Sequence, residues 1–369
     1  MKEGMTMGAQ AINVAARMPR RVAYFDVLNI LATISVVWIH FGNEVHWYDG
    51  SKVWYWCLFI QVVCYWAVPV FFMLTGATLM NYQEKYSTKE FCLHRVKRSL
   101  LPYLVFGGIL ALCQVYKGDL VVDAAHPLLS ILDIFMNNRM EPIYWFVPVL
   151  FGIYLAMPAL SVFAKPENRK QLDYLVSVGI ITVSILPFLA QSAKHPFGVW
   201  EISSWNTALE LPVLGSYLIY PVLGYWASTR DFTRRGRILC YVGAVLSAIL
   251  RFVGLKLLSE RDGVINQLFM DYRSVPSLLL ALGVFVFVRY AISDRVTLSN
   301  RWKKVLKELS TCSLGVYLIH HPILAAMEKI PFFAKYSSQW YFFWPFVCYV
   351  GCASVVFFGR ACLKQLTSR

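Results

Sequence analysis

Charge is scarce in this chain of 369 residues: 15% are Asp, Glu, Lys or Arg, and the acidic side chains number 21 against 35 basic ones. A water-facing surface needs about a quarter of the chain to be charged, so an ordinary soluble domain is excluded. Paired cysteine spacings are missing as well. The nine cysteines are scattered, mostly inside apolar runs, which argues against a zinc ribbon or a secreted disulfide framework, and no metal is expected. Cys348 and Cys352 share a helix face, for which packing is the simpler account. There is no repeat of 20 to 50 residues, no low-complexity tract, and no connection long enough to fold as a soluble domain. The first apolar run is longer than a signal-peptide core and no small-x-small cleavage site follows it, so it is read as an uncleaved helix behind Arg17, Arg20 and Arg21.

What the chain does have is apolar length. Hydrophobic residues make up 58%, mean hydropathy is +0.52, and 12 Trp with 21 Tyr are available for interfacial belts. Runs of about 18 or more mostly apolar residues predict ten spans, near 22–42, 54–80, 99–116, 142–163, 173–191, 208–227, 238–258, 275–292, 312–330 and 340–363. Inside hydrocarbon every backbone amide needs a partner, so the expected fold is all-α, a polytopic membrane helix bundle. It divides into a basic tail (1–21), one membrane domain (22–363) and a short second tail (364–369). Lys and Arg alternate between the connections: 25 lie in segments and span ends on the side of the amino terminus, nine on the other side, and Arg251 within a span, which accounts for all 35. This bias places both termini in the cytoplasm and the bundle in the plasma membrane. The formal net charge of +14 is dispersed over six short segments, which fits attraction to the lipid of the inner leaflet; nucleic acid is not an expected partner. The connection 117–141 contains an apolar stretch, Pro127 to Met136, expected to lie in the interface or to re-enter the bundle.

Within the first run, Asp26, Asn29, Thr33 and His40 fall on one helical stripe, and Glu44 continues it if the helix reaches that far. An ionisable side chain inside a span is costly and is a functional candidate by default. His40 suits a proton-transfer role because neutral imidazole titrates near operating pH; a polar contact between helices is the competing account. Glu44 would hold the imidazole tautomer, or else be a solvated interfacial carboxylate. Asn29, about three turns from His40, would line the same polar channel and position donor or water. Asp26 sits beside Arg20 and Arg21, where a helix amino terminus explains a carboxylate without function. Arg95 and Arg98, with His94 and Lys97, precede the third span; ordinary inner-side anchoring competes with binding of phosphates by two fork-shaped donors one turn apart. Arg251 lies inside the seventh run and should face the bundle with an unnamed partner, or snorkel. Trp145 reads as an interface anchor or as pocket lining. Tyr317, His320 and His321 in the ninth run read first as helix–helix hydrogen-bonding residues. Pro69, Pro148, Pro158, Pro212 and Pro221 can kink spans.

Several short patterns recur together: Asp26-Val-Leu-Asn29 with His40 eleven positions after Asn29, Val68-Pro69-Val-Phe-Phe-Met-Leu-Thr75-Gly76, Arg95-x-x-Arg98 followed by Pro102, Tyr144-Trp145-Phe146, and Ser310 through Tyr317 to His320. In order and spacing the chain resembles the acyltransferase-3 family of integral membrane acyltransferases, over nearly the whole membrane domain. Asn29 stands where many members carry arginine, and Thr75 where serine is more usual, the latter keeping a hydroxyl. The resemblance implies ten helices, acetyl-coenzyme A (or another acyl-coenzyme A) as co-substrate held at Arg95 and Arg98, and His40 as catalytic base. It also implies transfer of an acetyl or other short acyl group to a hydroxyl of an extracytoplasmic or exported saccharide or envelope polymer. A covalent acyl-histidine route and direct transfer both stay open. The alternative from another class is a transporter or flippase of polysaccharide or lipid-linked sugar, which paired broken helices in matching halves would favour.

Overall fold

The computed structural model describes residues 22–194, 212–266, 268–292 and 299–367. Its helices are α1 (Ala23–Phe41), α2 (Lys52–Cys64), α3 (Ala67–Leu79), α4 (Thr88–Arg95), α5 (Leu101–Lys117), α6 (Pro127–Met136), α7 (Phe146–Leu160), α8 (Arg169–Gly179), α9 (Leu186–Lys194), α10 (Ile219–Thr229), α11 (Arg234–Asp262), α12 (Val275–Ile292), α13 (Asn300–Met327), α14 (Ser338–Phe342) and α15 (Trp344–Thr367). The architecture is an all-α bundle, with no strand among the described residues.

Nine helical stretches among the described residues are long and apolar enough to cross a membrane, several assembled from more than one helix. The second joins α2 to α3 at Tyr65–Trp66; Pro69, lacking an N–H, cannot bond the Tyr65 carbonyl, so the helix opens there. The third runs Thr88–Lys117 through a wide π turn, Val96–Leu100, that separates α4 from α5. Of the sixth expected span, 208–227, the residues up to 211 lie outside the described ones; the remainder includes a 3-10 turn, Pro212–Leu214, and α10. The ninth starts at Asn300, twelve residues before the apolar run, because Ser299 caps the helix by accepting from the Trp302 amide.

The burial pattern follows from this composition. On α11 the buried residues Ala244, Ser247, Arg251, Leu255 and Ser259 form one stripe, while Leu239, Val242, Leu246, Ile249, Leu250 and Leu257 stay exposed as a lipid-facing surface. α1 lies at the centre, packed against α13, α3, α2, α15 and α12. α3 and α10 cross with their backbones in contact. A Cβ on Gly76 would sit 1.8 Å from the Pro221 carbonyl oxygen, and one on Gly224 would sit 2.0 Å from that of Met73, so neither position has room for a side chain. α6 forms over Pro127–Met136 with Leu128, Leu129, Leu132 and Met136 exposed and Ile134 buried; it is an amphipathic helix that leans on the bundle by one edge.

Candidate functional site

Two parallel polar pairings join α1 to α13. At the lower one, the Asn29 amide donates to the Ser310 carbonyl at 2.8 Å and to its hydroxyl at 2.9 Å. Eleven residues along α1 and ten along α13 is the upper one, where His40 Nδ1 lies 2.7 Å from His320 Nε2 and the rings stack at 4.9 Å between centroids. His320 is fully buried, and its Nδ1 lies 2.8 Å from the Tyr317 carbonyl and 3.1 Å from that of Val316. Carbonyls only accept, so Nδ1 of His320 carries the hydrogen and the Nε2 of the neutral ring is an acceptor. His40 must then donate from Nδ1, which leaves its Nε2 as a bare lone pair on a half-buried ring. The stripe legible in the sequence is thus tied at both ends to one partner helix.

Why α13 presents His320 here follows from Pro322. Proline in a helix interior leaves the carbonyl four residues back without its N–H partner, here that of Leu318. The Tyr144 hydroxyl supplies the missing bond at 2.5 Å, and in return the Tyr317 hydroxyl donates to the Ile143 carbonyl. Two crossed bonds therefore clamp the 3-10 turn Pro142–Trp145 onto the segment of α13 that carries His320. Immediately before the turn, the buried Glu141 pairs with His321, Oε2 to Nδ1 at 3.1 Å. The His321 ring stands edge-on to His40 at 5.9 Å. Three imidazoles and one carboxylate meet where α1, α13 and the 141–145 segment come together.

The other sequence candidates fall in different places. Glu44 was expected to orient His40 provided α1 reached it; instead the helix ends at Phe41, Gly42 caps it, and Glu44 sits in the 3-10 turn Asn43–His46. Its carboxylate turns to Lys335 Nζ at 3.7 Å, and the Cys57 thiol donates to it at 3.8 Å. Lys335 also reaches Glu328 at 3.0 Å. Partial burial works against its charge, but the Glu328 and Glu44 carboxylates outweigh that and raise the ammonium above its usual pKa. The side chain within hydrogen-bonding reach of His40 is His320 instead. Asn29, expected to line a channel, has its amide engaged by Ser310. Asp26 is buried near the start of α1. The Thr75 hydroxyl donates back to the Phe71 carbonyl within α3.

Arg95 and Arg98 flank the start of the π turn. The Arg95 guanidinium lies over the rings of Phe91 and Tyr154, at 5.6 and 5.7 Å, with its buried Nε unbonded, and Arg98 is exposed. Tyr154 on α7 is ten residues beyond Tyr144 in the preceding 3-10 turn, so the arginines lie roughly 15 Å along the helix axis from the imidazole cluster. Trp145 stacks against Tyr272 at 5.7 Å and tilts over Tyr217 at the same distance. Arg251 is fully buried: Nη1 donates to the Ser277 hydroxyl at 2.8 Å, and the guanidinium lies 3.6 Å over the Tyr65 ring. Its Nε and Nη2 have no hydrogen-bond partner. Among the described residues no group of three or more His, Cys, Asp or Glu is arranged to hold a metal.

Sequence reasoning missed Glu141 as a site residue and treated His321 as helix glue. An acidic residue directly ahead of Pro142 at the mouth of a span, two positions after Arg139, was the available signal.

Comparison with known proteins places the chain among acyltransferases. The model of an acyltransferase domain, acyltransferase 3, matches residues 22–359. Glucans biosynthesis protein C of Salmonella gallinarum is 24% identical over 322 residues, covering 82% of this chain and 80% of the relative. The proteins of the same name from Salmonella heidelberg and Salmonella typhi are each 23% identical over 324 residues, with the same coverage. No solved structure matches.

Proposed function

We propose, from the premise that the chain belongs to the acyltransferase-3 family and is a multi-pass membrane acyltransferase, that it carries an acetyl or other short acyl group from cytosolic acyl-coenzyme A to a hydroxyl of an exported or envelope saccharide in the plasma membrane. The observation that carries this reading is the chain of bonds from the Tyr317 carbonyl through His320 to His40, because it leaves one imidazole nitrogen with a free lone pair. The acceptor hydroxyl gives its proton to His40 Nε2 as its oxygen bonds the acyl carbon, and the carbon–sulfur bond breaks. The positive charge that arrives on His40 is spread toward His320 and, beyond it, onto two carbonyl oxygens.

Arg95 and Arg98 suit the donor's phosphates: they sit at the inner ends of their helices by the charge bias of the loops, and guanidinium forks match phosphate oxygens. The separation of roughly 15 Å along α7 leaves the acyl arm to span the bundle between the two places. A saccharide acceptor is favoured by the printed name of the relatives, glucans biosynthesis protein C. The half-buried rings of Trp145 and Tyr217 supply an aromatic lining that suits a sugar.

Membrane vesicles supplied with radiolabelled acetyl-coenzyme A and envelope polymers test the proposal. Transfer of label to polymer by the wild type is expected, with His40→Ala reducing turnover about 10²- to 10⁴-fold in a correctly inserted protein. Arg95→Ala should chiefly raise the donor concentration needed for half-maximal rate. Undiminished labelling by His40→Ala would remove the base; polymer moved across the membrane without acquiring label would favour the transporter reading.

A further inference from the structure

We propose that His321, held by Glu141, is a second catalytic residue: the acid that hands a proton to the departing thiolate. This rests on the acyl-transfer reading above and assigns work to a pair that the reading leaves idle. The two imidazoles meet edge-on at 5.9 Å between centroids but are backed differently. Behind His40 stands a neutral ring, fixed by carbonyls. Behind His321 stands a carboxylate, 3.1 Å from Nδ1. An ionised carboxylate only accepts, so the His321 Nδ1 bears the hydrogen toward Glu141 and Nε2 is the nitrogen left for other work. The side chain of His321 keeps 31% exposure, against 10% for Glu141. Neighbouring proton carriers set in unlike surroundings are the arrangement that divides base from acid in many sites.

Glu141 is well placed to remain there. Its amide donates to the Asn138 carbonyl at 3.0 Å, its own carbonyl accepts from the Tyr144 amide at 3.0 Å, and the Tyr144 and Tyr317 hydroxyls lock the following turn to α13. The proton that the proposal places on His321 sits opposite the Glu141 carboxylate, in a part of the bundle where an isolated charge would be costly. Over one turnover the acceptor O–H bond breaks and its proton goes to His40 Nε2. The acyl carbon gains a bond to oxygen and loses its bond to sulfur, and the sulfur, leaving with the electron pair, takes the proton from His321 Nε2. The site ends with His40 charged and His321 neutral, and passage of one proton from the first ring to the second restores it. No oxidant, reductant or metal is consumed.

A competing account makes the pair a staple that only fastens the 141–145 segment to α13. Leaving-group dependence separates the two. The full-length protein in vesicles is assayed with acetyl-coenzyme A and with the acetyl thioester of p-nitrothiophenol, whose thiolate departs unaided. His321→Gln, whose side-chain amide can still donate to Glu141, should lower turnover with acetyl-coenzyme A about 10²-fold and leave the aryl thioester within about 3-fold of wild type. Glu141→Gln should show the same selectivity at smaller size, and His40→Ala should lose both donors alike. Equal loss of both donors in His321→Gln and Glu141→Gln, or no loss with acetyl-coenzyme A, would overturn the proposal while leaving His40 in place. Wild-type protein that turned over neither thioester would bring down acyl transfer and this proposal together.

Discussion

Two polar groups are sunk deep in this bundle, His320 and Arg251, and they are accommodated in opposite ways. His320 belongs to a series of bonds in which each donor meets an acceptor, so the only group left over is the lone pair at the far end, on His40. Arg251 has one bond, to Ser277, and keeps two nitrogens unbonded; the face of Tyr65 covers its charge instead. A closed series delivers unmet capacity to a chosen atom, whereas an open guanidinium spends its charge on holding helices together. Arg251 on α11 reaches Ser277 on α12 and Tyr65 beside α2, and Ser277 in turn donates to the Asp271 carbonyl.

The comparison can be broken from either side. Arg251→Ala should have the largest effect, about 3 kcal/mol or more, because it empties a buried volume and strips Ser277 and Tyr65 of their partner. Thermal unfolding of the detergent-solubilised protein would register this, and Arg251→Met, which refills the space without a charge, should recover most of it. If Arg251→Met folds normally yet is inactive, Arg251 belongs with the chemistry and the contrast fails. Next in size, His320→Ala should lower turnover on the order of 10²-fold, below the roughly 10⁴-fold seen when an orienting carboxylate is lost from a triad. His320→Asn, with an amide near the ring position, should recover part of the rate in the vesicle assay. The smallest change is expected from Asn29→Ala, about 0.6 kcal/mol, typical of one interhelical hydrogen bond in a membrane. Its melting temperature should fall slightly with turnover intact; a collapse in turnover would give Asn29 the donor-positioning role that its bonds to Ser310 argue against.

Nine of the ten expected spans were open to reading from composition because hydrocarbon leaves the backbone few options; their ends and interruptions moved, and 208–227 lies partly outside the described residues. α13 extends over a polar first stretch that hydropathy ignores, and the break at Tyr65–Trp66 follows from Pro69. The stripe that carries Asn29 and His40 was legible because both lie within one helix, where spacing translates directly into direction. Glu44 misled for the same reason, since its role needed one more turn that Gly42 does not supply. The pairing of His321 with Glu141 joins residues 180 positions apart, and Tyr65 meets Arg251 across 186. No local periodicity encodes such meetings; the first arises when the 141–145 segment packs on α13, the second when α11 packs beside α2. The Tyr144 bond to the Leu318 carbonyl shows how one residue type, proline at 322, creates a vacancy that a distant part of the chain must fill.

The bare crossing of α3 over α10 limits how this enzyme can breathe. Where main chain rests on main chain at Gly76 and Gly224, with no side chain between to swing or compress, the two helices must travel as one rigid strut. Entry of an acyl acceptor, and escape of the product, therefore have to use an opening elsewhere in the bundle.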